Sequence, residues 1–302
     1  KDAELFASLV FYRANFIVPI INKKLLFVRV PTAFLPYLRC FRKTPMKAIV
    51  RKKFQIAGIP MAQGGVCGNE EEARKLFKKL PKPVIVKPNA GSRSRHTSLG
   101  IISETHFLQS FYSAKQLSPW VVVEEELKGM VYRATLIGGI LEGVARREPP
   151  HVIGDGKITI AKLIEEENKN PRRQGPLFHP LTVNKAWLDG RAVLLNNIPK
   201  AGEFVPLGPQ IFFTLGGSVT EMMEVTHQEN VKLFERLATL LNDSLIGVDF
   251  MIQDISQPWQ EQTGCGVLEC NSLPFIDMHH YIMAGKPRNV AGALWDLVGP
   301  KI

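Results

Sequence analysis

Two carboxylates and one amide stand in strand-like sequence near the C-terminal end of the chain. Asp249 lies in "GVDF", and Glu269 and Asn271 lie two residues apart in "LECN". Because side chains alternate along a strand, Glu269 and Asn271 share one face. If the strand of Asp249 pairs antiparallel with theirs, all three oxygen groups converge. Such a set suits Mg²⁺, with ATP phosphates and water completing the shell. The alternative is a buried Asp–Asn hydrogen bond beside an edge glutamate.

Two lysines come before a loop of small residues in the first half of the chain. Lys47 lies near the start of a predicted helix, and Lys87 ends the apolar run "VIV". Two ammonium groups that converge on one loop would suit the phosphates of a nucleotide. The loop "NAGSRSRHTSLG" offers backbone N–H groups and the hydroxyls of Ser92, Ser94 and Thr97 as further phosphate contacts. The alternatives are a solvated helix lysine and an ordinary turn.

Three consecutive acids, Glu124, Glu125 and Glu126, end the β-branched run "VVV". Alternation predicts that Glu124 and Glu126 face one side of the strand and Glu125 the other. A strand end of this kind can act as a hinge that presents backbone groups to a base and a carboxylate to an amine or a ribose. A solvated acidic turn is the simpler interpretation.

The elements that must position these residues differ between the two halves of the chain. From Lys47 to Glu126 the patterns predict helix, strand, helix and strand, with Asn69 as a helix cap. In the second half, two strands flank the turn Gly138-Gly139, and amphipathic helices accompany the strands of Asp249 and Glu269. The pattern predicts an α+β fold in which helices back antiparallel sheets.

Composition narrows the possible functions. The 302 residues carry a net charge of +10, yet no zinc-finger spacing, recognition helix or RNA-binding aromatic motif is found, so we expect no nucleic-acid partner. The one membrane-like run, near the N-terminus, holds Arg13, Asn15 and Pro19, so we expect no membrane span. The four cysteines form no C-x-x-C pair, which predicts reduced thiols and a cytoplasmic location.

The order of these features resembles that of the ATP-grasp ligases. The matching parts are Lys47, Lys87 in "VIVKP", the small-residue loop, "VVVEEELKG", Asp249 and "LECN". More narrowly, residues 146–173, "FFTLGGSVTEMMEVTHQENV" and the stretch from "LIGVDF" to "LECNSLP" look like the ATP-grasp domain of cyanophycin synthetase. The resemblance covers about residues 44–300. It implies a lead segment over 1–43, a small subdomain over 44–126 and a large subdomain over 127–302, which clasp ATP between antiparallel sheets.

The resemblance implies an ATP-dependent carboxylate–amine ligase. ATP would phosphorylate a substrate carboxylate, and an amine would attack the acylphosphate to give an amide, ADP and phosphate. Each expected role falls on residues of this sequence, as follows: ATP contacts at Lys47, Lys87, Ser92, Ser94, Glu124, Glu125 and Glu126; two Mg²⁺ (or Mn²⁺) at Asp249, Glu269 and Asn271; catalytic contacts with the acylphosphate or the substrate carboxylate at Arg133 and Arg147; acceptor-substrate contacts at Thr214, Gly216 and Gly217.

The chain also differs from that family at several positions. Ser94 and His96 stand where the phosphate loop has glycines, and Val131 stands where an acid would approach the ribose. Phe275 and Asp277 follow "ECNSLP" in place of a glycine and an arginine, so the amino-acid or peptide substrate is expected to differ. The 302 residues contain no Mur-type G-x-x-x-x-G-K-[ST] loop, so we do not expect a complete two-amino-acid polymerase. The alternatives are an ATP-binding module without ligase activity and, more remotely, a nucleic-acid-binding protein; a homo-oligomer is compatible with either enzyme or module.

Overall fold

The structure is a computed structural model that describes residues 20–21, 24–25, 46–90, 95–272 and 274–299. The strands are β1 (Ile20–Ile21), β2 (Lys24–Leu25), β3 (Gly64–Cys67), β4 (Val84–Pro88), β5 (Ser98–Ile101), β6 (Val121–Glu125), β7 (Met130–Ile137), β8 (Ile140–Glu148), β9 (His151–Ile153), β10 (Phe204–Pro206), β11 (Ser218–Glu221), β12 (Leu245–Ile252) and β13 (Gly266–Asn271). The α-helices are α1 (Met46–Ile56), α2 (Glu70–Lys79), α3 (Glu104–Lys115), α4 (Ile160–Glu167), α5 (Lys185–Asp189), α6 (Gln228–Leu241), α7 (Asp277–His280) and α8 (Val290–Val298). None of the helices in the described ranges has both the length and the apolar character that crossing a bilayer requires.

The smaller sheet lies in the first half of the chain. Its four strands run antiparallel in the order β3-β6-β4-β5, and α2 and α3 pack on it. Asn69 caps α2 as predicted, since its side chain accepts a hydrogen bond from the Glu72 N–H at 2.9 Å. The two helices meet through stacked rings of Phe77 and Phe107, 4.4 Å apart. The pattern had not predicted β3, whose two glycines have low strand propensity.

The larger sheet has five antiparallel strands in the order β11-β8-β7-β12-β13. The predicted hairpin joins β7 to β8, and its turn residues Gly138 and Gly139 have φ of 61° and 90°, values that favour glycine. Helix α6 covers one face, where the rings of Phe234 and Phe250 meet edge to face at 5.4 Å. The α+β prediction is therefore confirmed, with antiparallel sheets backed by helices.

A separate apolar cluster forms within the segment that joins β8 to β11. Strands β9 and β10 pair antiparallel, and α4 packs beside them. Inward-facing residues of these elements make a small core of their own: Val152, Ile160, Leu181, Val205 and Leu207. The segment is thus a built extension at the end of the larger sheet.

Helix α1 connects the two sheets. Phe54 on this helix is buried in the core of the larger sheet, together with Phe234 of α6. From the same helix, Arg51 reaches the smaller sheet and pairs with Glu124 of β6 at 2.7 Å. The division at residue 126 stays a prediction, and the packing adds that α1 shares its contacts between both parts.

Candidate functional site: a charged cluster on the larger sheet

The three predicted metal ligands lie on neighbouring strands. Strand β12 runs between β7 and β13, so Asp249 faces Arg133 on one side and Glu269 on the other, while Gly247 faces Asn271. A register shift follows Asp249 in the pairing with β13. Paired residues of adjacent strands share a face, so the predicted convergence of Asp249, Glu269 and Asn271 follows from the register.

Asp249 is held by a partner that the sequence pattern did not indicate. Its side chain is buried, and its two oxygens accept hydrogen bonds from Arg133 Nε at 2.6 Å and Arg133 Nη2 at 3.0 Å. Arg147 Nη1 lies 3.8 Å from Asp249 Oδ2. Glu269, in contrast, is exposed and accepts a hydrogen bond from Asn271 Nδ2 at 3.2 Å. A direct Asp249–Asn271 hydrogen bond, the alternative considered from the sequence, is not present between these two described residues.

The close packing of charges shifts the ionisation of this cluster. Burial on its own would lower the pKa of Arg133, but the charge and the hydrogen bonds of Asp249, together with the charge of Glu269, outweigh burial and raise that pKa above its ordinary value. For Arg147 burial prevails and lowers the pKa, with Arg133 adding repulsion and Asp249 opposing the change. Burial, followed by the charges of Asp249 and Glu269, raises the pKa of the Cys270 thiol. Cys270 therefore stays protonated and is no thiolate ligand.

The buried Arg147 guanidinium keeps capacity for a ligand. Its Nε has no hydrogen-bond partner among the residues that the structure describes, and its side chain is 17% exposed. Arg133, in contrast, spends two donors on Asp249. The two predicted catalytic arginines therefore differ: Arg133 supports Asp249, and Arg147 has donors to spare for an anion.

A second group of charges lies on the smaller sheet. The buried Glu124 carboxylate binds Lys87 from β4 through one oxygen and Arg51 through the other. Arg51 also donates to the Ala62 carbonyl oxygen at 2.5 Å. Arg51 had been missed in the sequence, although it follows Lys47 by one helical turn and so shares its face of α1. Glu124 thus holds two cations in place at the position where phosphate contacts are predicted.

Two of the other expected nucleotide contacts, Glu125 and Glu126, have side chains in the described part of the chain, and the rest do not. Glu125 Oε1 accepts from the Gln63 N–H at 2.8 Å, and Glu126 Oε2 accepts from the Gly100 N–H at 2.7 Å. The strand ends at Glu125, so the three acids have three different surroundings. Lys47 lies in α1, but its side chain lies outside the described part, as do Ser92 and Ser94 entirely. Their contacts with ATP stay predictions.

The predicted acceptor loop is a tight turn. Thr214 lies in the 3-10 turn Phe213–Leu215, and Gly216 follows with φ 91°. A Cβ on Gly216 would stand 2.6 Å from the Leu181 Cα, so glycine is required there. The Gly216 and Gly217 N–H groups donate to the carbonyl oxygens of Phe213 and Phe212, each at 3.0 Å. A substrate carboxylate would have to compete with these bonds, and the predicted role of the loop stays untested.

A buried chain of polar groups anchors the segment after β13. His279 of α7 is fully buried, with its Nδ1 2.7 Å from Glu221 Oε2 and its Nε2 2.8 Å from Thr135 Oγ1. Glu221 also accepts from the Val144 N–H at 2.8 Å. The imidazole packs so closely on β8 that a Cβ on Gly143 would stand 2.6 Å from its Nδ1. This segment, where the sequence departs from the cyanophycin synthetase pattern, is thereby fixed to the sheet that carries Asp249.

Low pH is expected to weaken the hydrogen bond between His280 and helix α8. His280 Nε2 accepts a hydrogen bond from the Ala291 N–H of α8 at 3.1 Å, which requires an unprotonated nitrogen. Burial lowers the pKa of His280, with Asp277 opposing and His279 adding to the shift. Its stabilising contribution is therefore complete above the unfolded-state value of about 6.5 and is lost as the pH falls towards the folded-state value. Between pH 8 and pH 5 the melting temperature of the wild type should fall more steeply than that of His280→Gln. An equal fall of the two melting temperatures would contradict the expectation.

Comparisons with known proteins agree with this fold. No family model matches the sequence. The chain is 30% identical over 263 residues to a cyanophycin synthetase of Trichormus variabilis (84% of this chain, 29% of the relative), and 32% identical over 255 residues to one of Crocosphaera subtropica (82% and 29%). It is 26% identical over 261 residues to a glutathione biosynthesis bifunctional protein of Clostridium perfringens (83% and 33%). The crystal structure of a bifunctional glutathione synthetase from Pasteurella multocida superposes with a TM-score of 0.62 at 24% identity, over 85% of this chain and 36% of that one.

The similarity covers most of this chain but only about three tenths of the curated relatives that it matches first. It is therefore a similarity to one part of larger proteins. The chain therefore has an α+β fold of the ATP-grasp type and is similar in sequence to a segment of cyanophycin synthetase.

Proposed function

We propose that the chain is an ATP-dependent carboxylate–amine ligase that forms an amide bond through an acylphosphate and releases ADP and phosphate. The observation that carries the proposal is the cluster of Asp249, Glu269, Asn271 and Arg147 on one face of the larger sheet. It combines oxygen donors for a metal with a guanidinium that has donors to spare. Transfer of a phosphoryl group needs such charge neutralisation and positioning more than it needs a protein nucleophile.

The residues of the cluster fit Mg²⁺ by their chemistry. The described ranges hold no group of three or more His, Cys, Asp and Glu side chains suited to a metal, but the proposed set needs only two carboxylates and adds the Asn271 amide oxygen. Oxygen-only donors are what Mg²⁺ prefers. Each Asp249 oxygen accepts one hydrogen bond from Arg133 and retains a second lone pair. When bound, Mg²⁺ would neutralise phosphate charge. The proposal includes two bound ions and allows Mn²⁺ in place of Mg²⁺.

The remaining steps depend on side chains of the chain itself. Arg133 orients Asp249 through its two hydrogen bonds. Lys87 and Arg51, held by Glu124, provide cations for the ATP phosphates. Arg147 would bind the acylphosphate or the substrate carboxylate, since its guanidinium lies beside Asp249 and its side chain is 17% exposed. Holding both reactants close and oriented is a main source of rate enhancement in such reactions.

The substrate class is an amino acid or a short peptide, by similarity to the cyanophycin synthetases and the glutathione biosynthesis proteins. Phe275, 40% exposed, follows the metal-site strand and places a large apolar side chain beside the segment anchored by His279. The chain therefore need not share the substrate of its relatives. A cytoplasmic location, a homo-oligomer and the lack of a nucleic-acid partner remain predictions.

One observation favours an ATP-binding module without ligase activity as the second candidate. Arg133 occupies both oxygens of Asp249, as expected for an ion pair that serves only structure. A screen separates the two candidates. Amino acids and dipeptides are supplied pairwise with ATP and Mg²⁺, phosphate release is recorded, and products are identified by mass. The ligase proposal predicts phosphate release that needs both a carboxylate and an amine substrate. ATP binding with no release across the panel would support the module instead.

A further inference from the structure

A cavity lies on the opposite side of the larger sheet from the Asp249 cluster. It has a volume of about 590 Å³ and is lined by the ends of β8 and β11, by α4 and by the β9–β10 pair. Arg147 reaches towards Asp249, so its neighbours Arg146 and Glu148 on the same strand point to the other face. A cavity of this size is typical of sites for small molecules.

Most charges in this cavity are already paired. Glu148 is buried and accepts from Arg146 Nη2 at 2.7 Å and from the hydroxyls of Ser218 and Thr220, each at 3.1 Å. Arg173, 2% exposed, donates to Glu167 at 2.7 Å and to the Gly216 carbonyl oxygen at 2.8 Å. These pairs fix the floor of the cavity, so a ligand would meet groups that are held in place.

Three charged groups retain capacity to bind a ligand. The Arg146 side chain is 31% exposed and lines the cavity, and it engages Glu148 through Nη2. The side chain of Glu166, at the cavity edge on α4, makes no hydrogen bond or close ion pair among the described residues. Glu167 adds a second carboxylate, with one oxygen engaged by Arg173. The free capacity is thus one anion-binding group and three carboxylate oxygens, both of Glu166 and one of Glu167.

An apolar wall separates these groups from solvent on one side. Ile153 and Phe204 are cross-strand partners, 49% and 39% exposed, and the ring of His151 stacks on Phe204 at 4.3 Å between centroids. An aliphatic stem can pack on such a wall, and an aromatic face attracts a cation. Exposed apolar groups beside unpaired charges are characteristic of a recognition surface.

We propose that this cavity binds a basic amino acid, either free or at the carboxyl end of a short peptide. Its carboxylate would pair with Arg146, its stem would lie on Ile153 and Phe204, and its terminal cation would meet Glu166 and Glu167. The cavity lining has three acids and two arginines, so it favours a ligand with a net positive charge. The inference goes beyond the proposed ligase function, because it requires neither ATP nor the Asp249 cluster.

The test is isothermal titration of the full chain with L-lysine, without ATP or Mg²⁺. We expect saturable binding that weakens at least tenfold for norleucine, which lacks the terminal ammonium, and for cadaverine, which lacks the carboxylate. Arg146→Gln and Glu166→Gln should each weaken lysine binding by a similar factor. The matched control is Glu165→Gln, an exposed acid of the same helix that pairs with Lys162 and Lys169 and does not line the cavity. It should leave the affinity unchanged.

Three results would overturn the inference: no binding at about 10 mM lysine, equal affinity for Glu166→Gln and wild type, or loss of binding in Glu269→Ala, which changes an exposed residue of the Asp249 cluster. The dipeptide Gly-Lys identifies the source of the ligand, since tighter binding than lysine indicates a peptide end and weaker binding a free amino acid. A chain that binds lysine but fails the phosphate-release screen would keep this inference and lose the proposed ligase function. A chain that releases phosphate in the screen but does not bind lysine would keep the proposed ligase function and lose this inference.

Discussion

Replacement of Arg133 by alanine is expected to lower the free energy of unfolding by about 3 kcal/mol or more, because it leaves the Asp249 carboxylate buried without its main counter-charge. Both side chains of this pair are 7% exposed, so water cannot replace the lost hydrogen bonds. Arg147, 3.8 Å from Asp249, compensates only in part. Chemical denaturation of the variant and the wild type measures the loss.

Two further measurements make this result specific. The double variant Arg133→Ala/Asp249→Ala should recover part of the lost stability, since it leaves no unpaired charge. Mg²⁺ at millimolar concentration should raise the melting temperature of Arg133→Ala more than that of the double variant, because only the former retains the carboxylate ligand. A loss below about 1 kcal/mol would show that the ion pair is dispensable. An equal effect of Mg²⁺ on both variants would argue against a metal at Asp249.

Replacement of Glu269 by alanine is expected to reduce ADP release by about a hundredfold or more, with the substrates found in the phosphate-release screen. The side chain is exposed, so the free energy of unfolding should change by about 0.5 kcal/mol or less. The variant therefore separates chemistry from folding, which Asp249 and Arg133 cannot do. Turnover is measured at saturating ATP over a range of Mg²⁺ concentrations.

The matched control for that variant is Glu261→Ala, an exposed acid in the 3-10 turn Trp259–Glu261 of the β12–β13 connection, which is not part of the proposed metal site and should retain full turnover. Glu269→Gln keeps an oxygen donor but loses the charge, so it should fall between the alanine variant and the wild type and require more Mg²⁺. Undiminished turnover of Glu269→Ala at every Mg²⁺ concentration would remove Glu269 from the proposed metal site.

The features that the sequence predicted well have local causes. The Asn69 cap and the Gly138-Gly139 turn each depend on residues within a few positions, and both are found in the structure. The facing positions of Asp249 and Glu269 also followed from alternation once antiparallel pairing was assumed. The ATP-grasp fold followed from the order of several such features along the chain.

The features that were missed join residues far apart in the chain. Arg133 and Asp249 are 116 positions apart, and only the pairing of β7 with β12 makes them partners. Nothing local distinguishes Arg51 from the other basic residues of its helix, because its partner Glu124 lies 73 positions away. Strand β3 was missed because its pairing with β6 outweighs the poor strand propensity of its glycines.

The contact between Gly143 and His279 has an evolutionary consequence. No Cβ fits at position 143 while the imidazole stands where it does, so each residue limits what the other can become. A mutation at position 143 becomes tolerable only after the histidine has been replaced by something smaller, and such a replacement removes the partner of Glu221 and Thr135. Four positions on four different elements are therefore expected to change together in descendants of this sequence, or not at all.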